Sequence, residues 1–294
     1  MAPETSVVVV DNASEDGTLN QISNARSIAK SSIIANSTNR GFAAAVNQGA
    51  QTMKQSAGDS DFLLLLNPDT ILLTSLDTLV AASKQHGIAG GKLVDENKRP
   101  QEGFTIRRLP TAASLIFEVL GVNRLWPSNP VNQRYRYLDR DLEQAGPAEQ
   151  PAGAFLMVRG DVWRRLGGLD EQFAPLWFED VDLCRRAADA DFTVQYAPQA
   201  MAQHAGGHSV RKIPAGRRAF HWYASLLKYS RKHLRPLELK GVCLAVMLGS
   251  VPRMSAAAIQ ERTLGPITDY MRILANATRA LFTGTPSESD GRIS

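Results

Sequence analysis

A run of four leucines followed by Asn-Pro-Asp is the feature that most constrains how this chain folds. The segment Asp61–Thr70 reads DFLLLLNPDT. A short apolar run that is bounded at once by Pro68 predicts a strand buried on both faces, as in a parallel sheet covered by helices. Proline cannot extend the ladder, so Asp69 is expected just past the carboxyl end of the strand. Ligands bind at that edge in open α/β sheets, although an isolated Asn-Pro-Asp is more often an ordinary turn.

The preceding residues repeat this arrangement of strand, polar loop and helix. The run Ser6–Val10 (SVVVV) leads into the loop DNASEDGT, and Ser32–Ala35 leads into NSTNRG. Gly41 opens a helical run that we expect to place its N-terminus beside an anion. After the leucine strand, Thr74–Asp77 forms a capping-box pattern that predicts a helix ending at Gly87.

This alternation predicts a doubly wound α/β sheet with a small-molecule site, most simply for a nucleotide, at one edge. No G-x-G-x-x-G follows any of these strands, which argues against a dinucleotide-binding Rossmann unit.

The block 151–209 carries the next candidate residues. A helix is predicted to begin near Phe178, with Glu179 and Asp180 in its first turn, where the helix dipole stabilises carboxylates and would keep a base ionised. Acids at a helix N-terminus often do no more than interact with that dipole. His204 follows a predicted strand in the loop HAGGHS, where it is available to a metal or simply exposed to solvent.

Two further segments remain open at this stage. The bases and aromatics that alternate at Arg134–Tyr137 favour a sugar or phosphate site and a packed connection equally. The region 213–282 begins with a basic helix rich in Trp, Tyr and Leu, and 213–240 predicts either peripheral contact with an anionic bilayer or packing onto the rest of the chain. The tail 283–294 is expected to be disordered.

Bulk properties narrow the class of protein. The net charge of +4 is too small to imply nucleic acid as a partner. Two cysteines on unrelated segments fit a reducing compartment. No signal peptide is recognisable at Met1–Ser6, and Val242–Val251 is shorter than a bilayer span, so a cytoplasmic location is expected.

Four blocks in order resemble glycosyltransferase family 2. They are VVVVDNASEDGT, NRGFAAAVNQG, LLLLNPDT, and the pair GGLDEQFAPLWFEDVDLCRR and HAGGHS. The resemblance covers Ser6 to Ser209, and RRLP and WPSNP place it near the bacterial rhamnosyltransferase-like branch. It implies an α/β, GT-A-type doubly wound, mostly parallel sheet over 1–212, with a C-terminal helical appendage.

The resemblance also implies how a nucleotide-sugar donor would be held. Asp11 would read the base, and Asn39 and Gly41 would shape the nucleotide pocket. Asn67 and Asp69 match the family's metal-binding D-x-D, with asparagine in its first position. His204 matches a late family histidine, a further ligand for Mg²⁺ or Mn²⁺ or a diphosphate contact.

The same resemblance assigns the chemistry. Asp180, beside Glu179, would be the general base of an inverting transfer of a sugar, such as rhamnose from dTDP-rhamnose, to a lipid-linked glycan. That acceptor would lie at the inner face of the plasma membrane, in cell wall or polysaccharide biosynthesis.

Two alternatives to this enzyme remain. One is a catalytically impaired sugar-nucleotide-binding or scaffold protein, because the family's first βα unit is missing before Ser6 and the strands Ser6–Val10 and Phe62–Leu66 are expected to share no ladder. The other is a nucleotidyltransferase, which usually carries a Gly-rich basic loop that is not visible here.

Overall fold

The computed structural model describes residues 5–24, 31–54, 61–207 and 213–283. Apart from Thr283, the predicted disordered tail lies outside these residues. The strands are β1 Val7–Asp11, β2 Ser31–Ala35, β3 Phe62–Leu66, β4 Thr70–Leu72, β5 Gly87–Val94, β6 Ile106–Arg107, β7 Gly146–Pro147, β8 Gln150–Pro151, β9 Phe155–Arg159 and β10 Thr193–His204. The helices are α1 Thr18–Asn24, α2 Phe42–Lys54, α3 Asp77–His86, α4 Ala112–Leu120, α5 Val122–Leu125, α6 Pro130–Tyr135, α7 Gly160–Leu166, α8 Glu179–Asp189, α9 Ala215–His233, α10 Pro236–Glu261 and α11 Gly265–Thr283.

The larger sheet has the order β3-β9-β5-β10-β4, with β7 also paired to β10. Only β5 and β10 are parallel neighbours in it, because β9 runs antiparallel between β3 and β5, and β4 and β7 run antiparallel to β10. The sheet is therefore mixed, and the expectation of a mostly parallel one is wrong. The sequence did not reveal this because β9 is buried on both faces and reads as apolar throughout, as a parallel strand does.

Helices cover both faces of this sheet, which confirms the α/β class. Along β9, Leu156 and Val158 belong to one core with α7 and α8, while Phe155 and Met157 belong to a second core against α3. This alternation follows from the period of two in a strand.

The strands β1 and β2 form a separate parallel pair. Within the described residues, β1 and β3 share no ladder, because β3 pairs with β9 alone. The expectation that these two strands do not pair directly is confirmed there.

The C-terminal helices share a third core with α4 and α8. The buried members of α9 are Phe220, Tyr223, Leu226, Leu227 and Tyr229, and they pack with Phe178 and Val181 at the start of α8. The apolar face of α9 is thus internal, in agreement with the second of the two alternatives, packing onto the rest of the chain. Amphipathicity alone does not say whether lipid or protein covers a face.

The segment around Arg134–Tyr137 is a packed connection. Tyr135 and Tyr137 are buried, Arg136 pairs with Glu118, and Arg108 stacks over the Tyr137 ring at 4.4 Å.

By length and composition, Pro236–Gln260 of α10 is the described helix that would be able to cross a membrane. The apolar segment extends beyond Val242–Val251 on both sides. The expectation that it is too short to span a bilayer is therefore corrected, by length and composition only. One face of α10 packs through Val242, Cys243 and Val246. On the opposite face, five large apolar side chains are exposed, and we call them the α10 stripe: Leu237, Leu244, Leu248, Val251 and Ile259.

Candidate active site

Asp69 and His204 are brought together by the ladder between β4 and β10. Thr70 is the partner of His204 in that ladder, so the residue before β4 meets the last residue of β10. The amide of Ala205 donates to the Asp69 carbonyl at 3.0 Å and fixes the approach. The His204 Nε2 lies 3.4 Å from the Asp69 Oδ1, with the imidazole buried and the carboxylate partly exposed. The structure thus juxtaposes the two residues that the resemblance implied as metal ligands.

The chemistry of this pair fits a divalent cation. Burial lowers the pKa of His204 below its usual value, and the Asp69 carboxylate offsets this only in part. The imidazole is therefore neutral near pH 7 and able to offer a lone pair. Two ligands at right angles, each ~2.1 Å from a metal, lie ~3.0 Å apart, close to the separation of these two atoms.

Protein ligands for such a cation would be few. Within the described ranges, no group of three or more His, Cys, Asp or Glu residues is placed to hold a metal. Asn67 stands two residues before Asp69, and its backbone N–H donates to the Ala154 carbonyl at 3.1 Å. A metal held by one or two side chains relies on substrate phosphates and water for its other positions.

Asp180 sits in the first turn of α8 with its carboxylate oriented by the chain around it. Its Oδ2 accepts hydrogen bonds from the Gly153 N–H at 2.9 Å and from the Gln150 Nε2 at 3.3 Å. Burial raises the pKa of Asp180, while backbone hydrogen bonds from Gly153 and Val181 and the charge of Arg107 oppose the rise. A Cβ on Gly153 would lie 3.0 Å from the Asp180 Cβ, so glycine is the residue that lets the turn between β8 and β9 approach the base.

Glu179 has a different environment. Its side chain is buried, and in the described part of the chain its Oε2 has no hydrogen-bond partner. Burial and the neighbouring Asp180 raise the pKa of Glu179 well above its usual value. At both acids burial therefore acts against the ionised form that a helix N-terminus favours, and at Glu179 the charge of Asp180 adds to this effect.

The backbone that enters α8 is strained. Trp177 and Phe178 both adopt left-handed conformations, with φ of 75° and 71°. Such conformations are unfavourable for bulky residues and tend to occur at functional sites.

The residues implied in nucleotide binding lie on the loops beyond β1 and β2. The Asn12 side chain links these loops, because its Nδ2 donates to the Gly41 carbonyl at 3.0 Å and its Oδ1 accepts from the Asn36 Nδ2 at 2.9 Å. The Asn39 Oδ1 accepts from the Gly41 N–H at 2.9 Å. Asp11 is buried at the end of β1, next to Asn12. Sequence reasoning did not single out Asn12 and Asn36, although both are amides in the loops it highlighted.

Gly41 joins this group to the base. Its φ is +87°, and a Cβ there would lie 3.1 Å from the Pro175 carbonyl oxygen. The Phe42 N–H donates to that same oxygen at 2.9 Å. The sequence suggested that Gly41 lets a ligand approach the backbone closely. In the structure, the loop that precedes Asp180 lies in that position instead.

Two segments that sequence reasoning missed connect the pair Asp69–His204 with Asp180. In the first, Gly153 bonds to the base while its neighbour Ala154 bonds to Asn67. The second is the turn 101–107, in which the Phe104 ring stacks on the His204 ring and the Arg107 guanidinium lies 5.7 Å from the Phe104 centroid. Of this second segment, sequence reasoning had used only Arg107, as the first residue of RRLP.

Known proteins resemble this chain along most of its length. Residues 1–225 match the family described as "Glycosyltransferase like family 2". An N-acetylglucosaminyl-diphospho-decaprenol L-rhamnosyltransferase of Mycobacterium tuberculosis is 30% identical over 249 residues, 78% of this chain and 75% of that protein. Rhamnosyltransferase WbbL of Escherichia coli is 27% identical over 176 residues, 58% of this chain and 61% of that protein.

Among solved structures, the mannosyltransferase PcManGT from Pyrobaculum calidifontis in complex with GDP-Man and Mn²⁺ is 18% identical, with a TM-score of 0.46. That match covers 95% of this chain and 72% of PcManGT. The family match spans more than half of the chain, and the mycobacterial relative is matched over three quarters of its length. This chain is therefore a glycosyltransferase, a rhamnosyltransferase-like member of family 2 with the α/β GT-A architecture.

Proposed function

We propose that this glycosyltransferase transfers L-rhamnose, with inversion, from dTDP-rhamnose to a hydroxyl of a lipid-linked glycan in a reaction that requires a divalent metal. The observation that carries the proposal is the pair Asp69–His204, a carboxylate and a neutral imidazole 3.4 Å apart. Both relatives named above are rhamnosyltransferases, and the name of the mycobacterial one specifies an acceptor linked through diphosphate to decaprenol.

Asp180 supplies the base in this proposal. With its Oδ2 held by Gly153 and Gln150, the carboxylate takes the proton of the acceptor hydroxyl, and the oxygen attacks the anomeric carbon opposite the departing nucleotide diphosphate. Glu179 is buried, and its raised pKa favours the protonated form, which does not accept that proton.

Asp69 and His204 would hold the metal. When bound, the cation neutralises charge that develops on the departing diphosphate. The imidazole favours Mn²⁺ over Mg²⁺, because Mg²⁺ selects oxygen ligands. Asp11 would bind the base of the nucleotide, Asn39 and Gly41 would shape the pocket around it, and Asn67 would contact the diphosphate end.

The test is a donor screen with a defined acceptor. Purified protein is mixed with a panel of nucleotide-sugars and a short-chain polyprenyl-diphospho-N-acetylglucosamine, with Mn²⁺, Mg²⁺ or EDTA. We expect release of dTDP from dTDP-rhamnose with Mn²⁺, none with EDTA, and a product of inverted anomeric configuration by NMR. The variant Asp180→Asn should lose about 10²–10⁴ in rate yet bind dTDP-rhamnose normally.

Asp189→Asn, an exposed change on the same helix, is the matched control. Equal turnover by the Asp180 and Asp189 variants would refute the base assignment. Donor binding with no turnover for any acceptor would favour the binding or scaffold alternative.

We propose further that the enzyme meets its acceptor at the cytoplasmic face of the membrane through the α10 stripe. The stripe lies along one face of a 26-residue helix, ~39 Å long. Lys240 beside the stripe and Arg262 after the helix are exposed and complement anionic headgroups. Exposed Leu125 and Trp126 follow α4, which packs against α10.

Vesicle sedimentation tests this surface. The double variant Leu244→Glu and Leu248→Glu should lose binding to anionic vesicles while keeping its melting temperature, because both side chains are exposed. Leu138→Glu, at an exposed leucine of another segment, is the control and should bind like the wild type. The assignment would be refuted if the double variant binds vesicles as the wild type does. It would also be refuted if the wild type forms dimers that the double variant disrupts and the Leu138→Glu control does not.

A further inference from the structure

The His204 ring is held by two residues of one tight turn. The Gln101 N–H donates to the Leu93 carbonyl at the end of β5, and the Gln101 carbonyl accepts from the N–H groups of Phe104 and Thr105. From this turn, Phe104 stacks on the imidazole with ring centroids 5.3 Å apart and planes inclined by 6°. The ring therefore has a fixed plane before any ligand arrives.

The Gln101 amide also determines which ring nitrogen carries the proton. Its Nε2 donates to the backbone carbonyl of His204 at 2.7 Å. A backbone carbonyl can only accept, so the amide cannot be turned around without placing two acceptors against each other. The Gln101 Oε1 must then face the imidazole, and it lies 3.1 Å from the His204 Nδ1. An amide oxygen only accepts as well, so Nδ1 carries the hydrogen.

The position of this hydrogen also determines the state of the His204 Nε2. In a neutral ring with a hydrogen on Nδ1, the lone pair is on Nε2, and this atom faces the Asp69 Oδ1 at 3.4 Å. Two hydrogen-bond acceptors then face each other, and a cation bound between them would stabilise this arrangement. Metal-bound histidines are typically oriented this way by a hydrogen bond to their second nitrogen.

We propose that Gln101 is a positioning residue that fixes His204 as the Nδ1–H tautomer, with Phe104 setting the ring plane, and so prepares Nε2 and the Asp69 carboxylate for a divalent cation. This inference rests on the proposed metal dependence, but its first readout requires neither metal nor donor.

The tautomer is measured by long-range ¹H–¹⁵N NMR on metal-free protein labelled at its five histidines. The His204 signals are assigned by their loss in His204→Ala. The wild type should show the Nδ1–H pattern. Gln101→Leu should lose that pattern, because it removes both side-chain hydrogen bonds at similar volume.

Metal affinity is the second readout, measured from the EPR signal of free Mn²⁺. Gln101→Leu should weaken Mn²⁺ binding about 10- to 100-fold, the usual effect of removing an orienting partner. Glu102→Ala, an exposed change in the same turn, is the control and should bind as the wild type does. A melting temperature unchanged in both variants would show that the fold is intact.

An Nε2–H tautomer in the wild-type protein, or equal Mn²⁺ affinity in Gln101→Leu and Glu102→Ala, would overturn the proposal. Should the tautomer and the loss of Mn²⁺ affinity appear as expected while no donor is turned over, this inference stands and the proposed function fails.

Discussion

Asp182 allows a quantitative test of how the helix that carries the base is anchored. Its carboxylate is fully buried and contacts the Arg186 Nε, the Lys232 Nζ and the His233 Nε2, each at 2.7 Å. Arg186 belongs to α8, while Lys232 and His233 end α9. This cluster therefore ties the base helix to the C-terminal helices.

The magnitude follows from the pKa of Asp182. Burial acts to raise it, but hydrogen bonds from His233 and Lys232 and the charge of Arg186 prevail and lower the pKa from 3.8 to about 2. At about 1.4 kcal/mol per pKa unit, that lowering corresponds to about 2 kcal/mol of stabilisation. Because the folded-state pKa is the lower one, this stabilisation is present above about pH 4 and is lost as the pH falls towards 2.

Asp182→Asn keeps the shape of the side chain and leaves the charges of Arg186 and Lys232 without their shared anion. Breaking a buried charge pair typically costs about 3–5 kcal/mol. We expect the lower end, because Lys232 keeps Asp170 at 2.6 Å and Arg186 keeps the Leu166 and Gly168 carbonyls.

Urea denaturation at about pH 7 and about pH 2.5 measures both effects. The gap in unfolding free energy between the wild type and Asp182→Asn should narrow at the lower pH, because there the Asp182 carboxyl group of the unfolded wild type is mostly protonated and must lose that proton on folding. Asp189→Asn is the control, because its pair with Arg185 is solvent-exposed and worth about 0–1 kcal/mol. Equal stability of the two variants at neutral pH, or a gap that does not depend on pH, would refute the reasoning.

Two further predictions concern the base itself. Gly153→Ala should lower kcat and leave donor affinity unchanged in a dTDP-rhamnose titration, because the new Cβ would lie 3.0 Å from the Asp180 Cβ and displace the base; an unchanged kcat would contradict this role. The pH profile of kcat/KM should fall on the acid side at a pH above the usual aspartate value of about 3.9, because burial raises the pKa of Asp180 and a protonated base is inactive. The profile is measured against Asp180→Glu, and an acid limb at or below the ordinary value would argue against Asp180 as the base.

Local sequence signals predicted local structure well. Gly87 ends α3 as expected, and α8 begins at Glu179, next to the predicted start near Phe178. The predicted capping box at Thr74–Asp77 does not form, because the Thr74 hydroxyl oxygen instead accepts from the Met201 N–H and α3 begins only at Asp77. A long-range hydrogen bond prevailed over a local motif.

Long-range placement could not be read from the sequence. The apolar run of β9 does not indicate whether its neighbours are parallel or antiparallel. The sheet is mixed because β9 lies antiparallel between β3 and β5. Gln101 and His204 are 103 residues apart, and only the folded chain shows that one orients the other. Asp69 was found because a proline ends its strand, which is a local signal at the sheet edge.

The two acids at the start of α8 show how neighbours of one type acquire different roles. Both carboxyl groups are buried, and burial raises the pKa of each. Asp180 is compensated by N–H groups of Gly153 and Val181, which favour its ionised form, whereas Glu179 additionally meets the negative charge of Asp180. Of the two acids, Glu179 therefore has the stronger tendency to hold a proton. The carboxylate that remains charged is the one that Gly153 orients, and this supports Asp180 over Glu179 as the group that accepts the acceptor's proton.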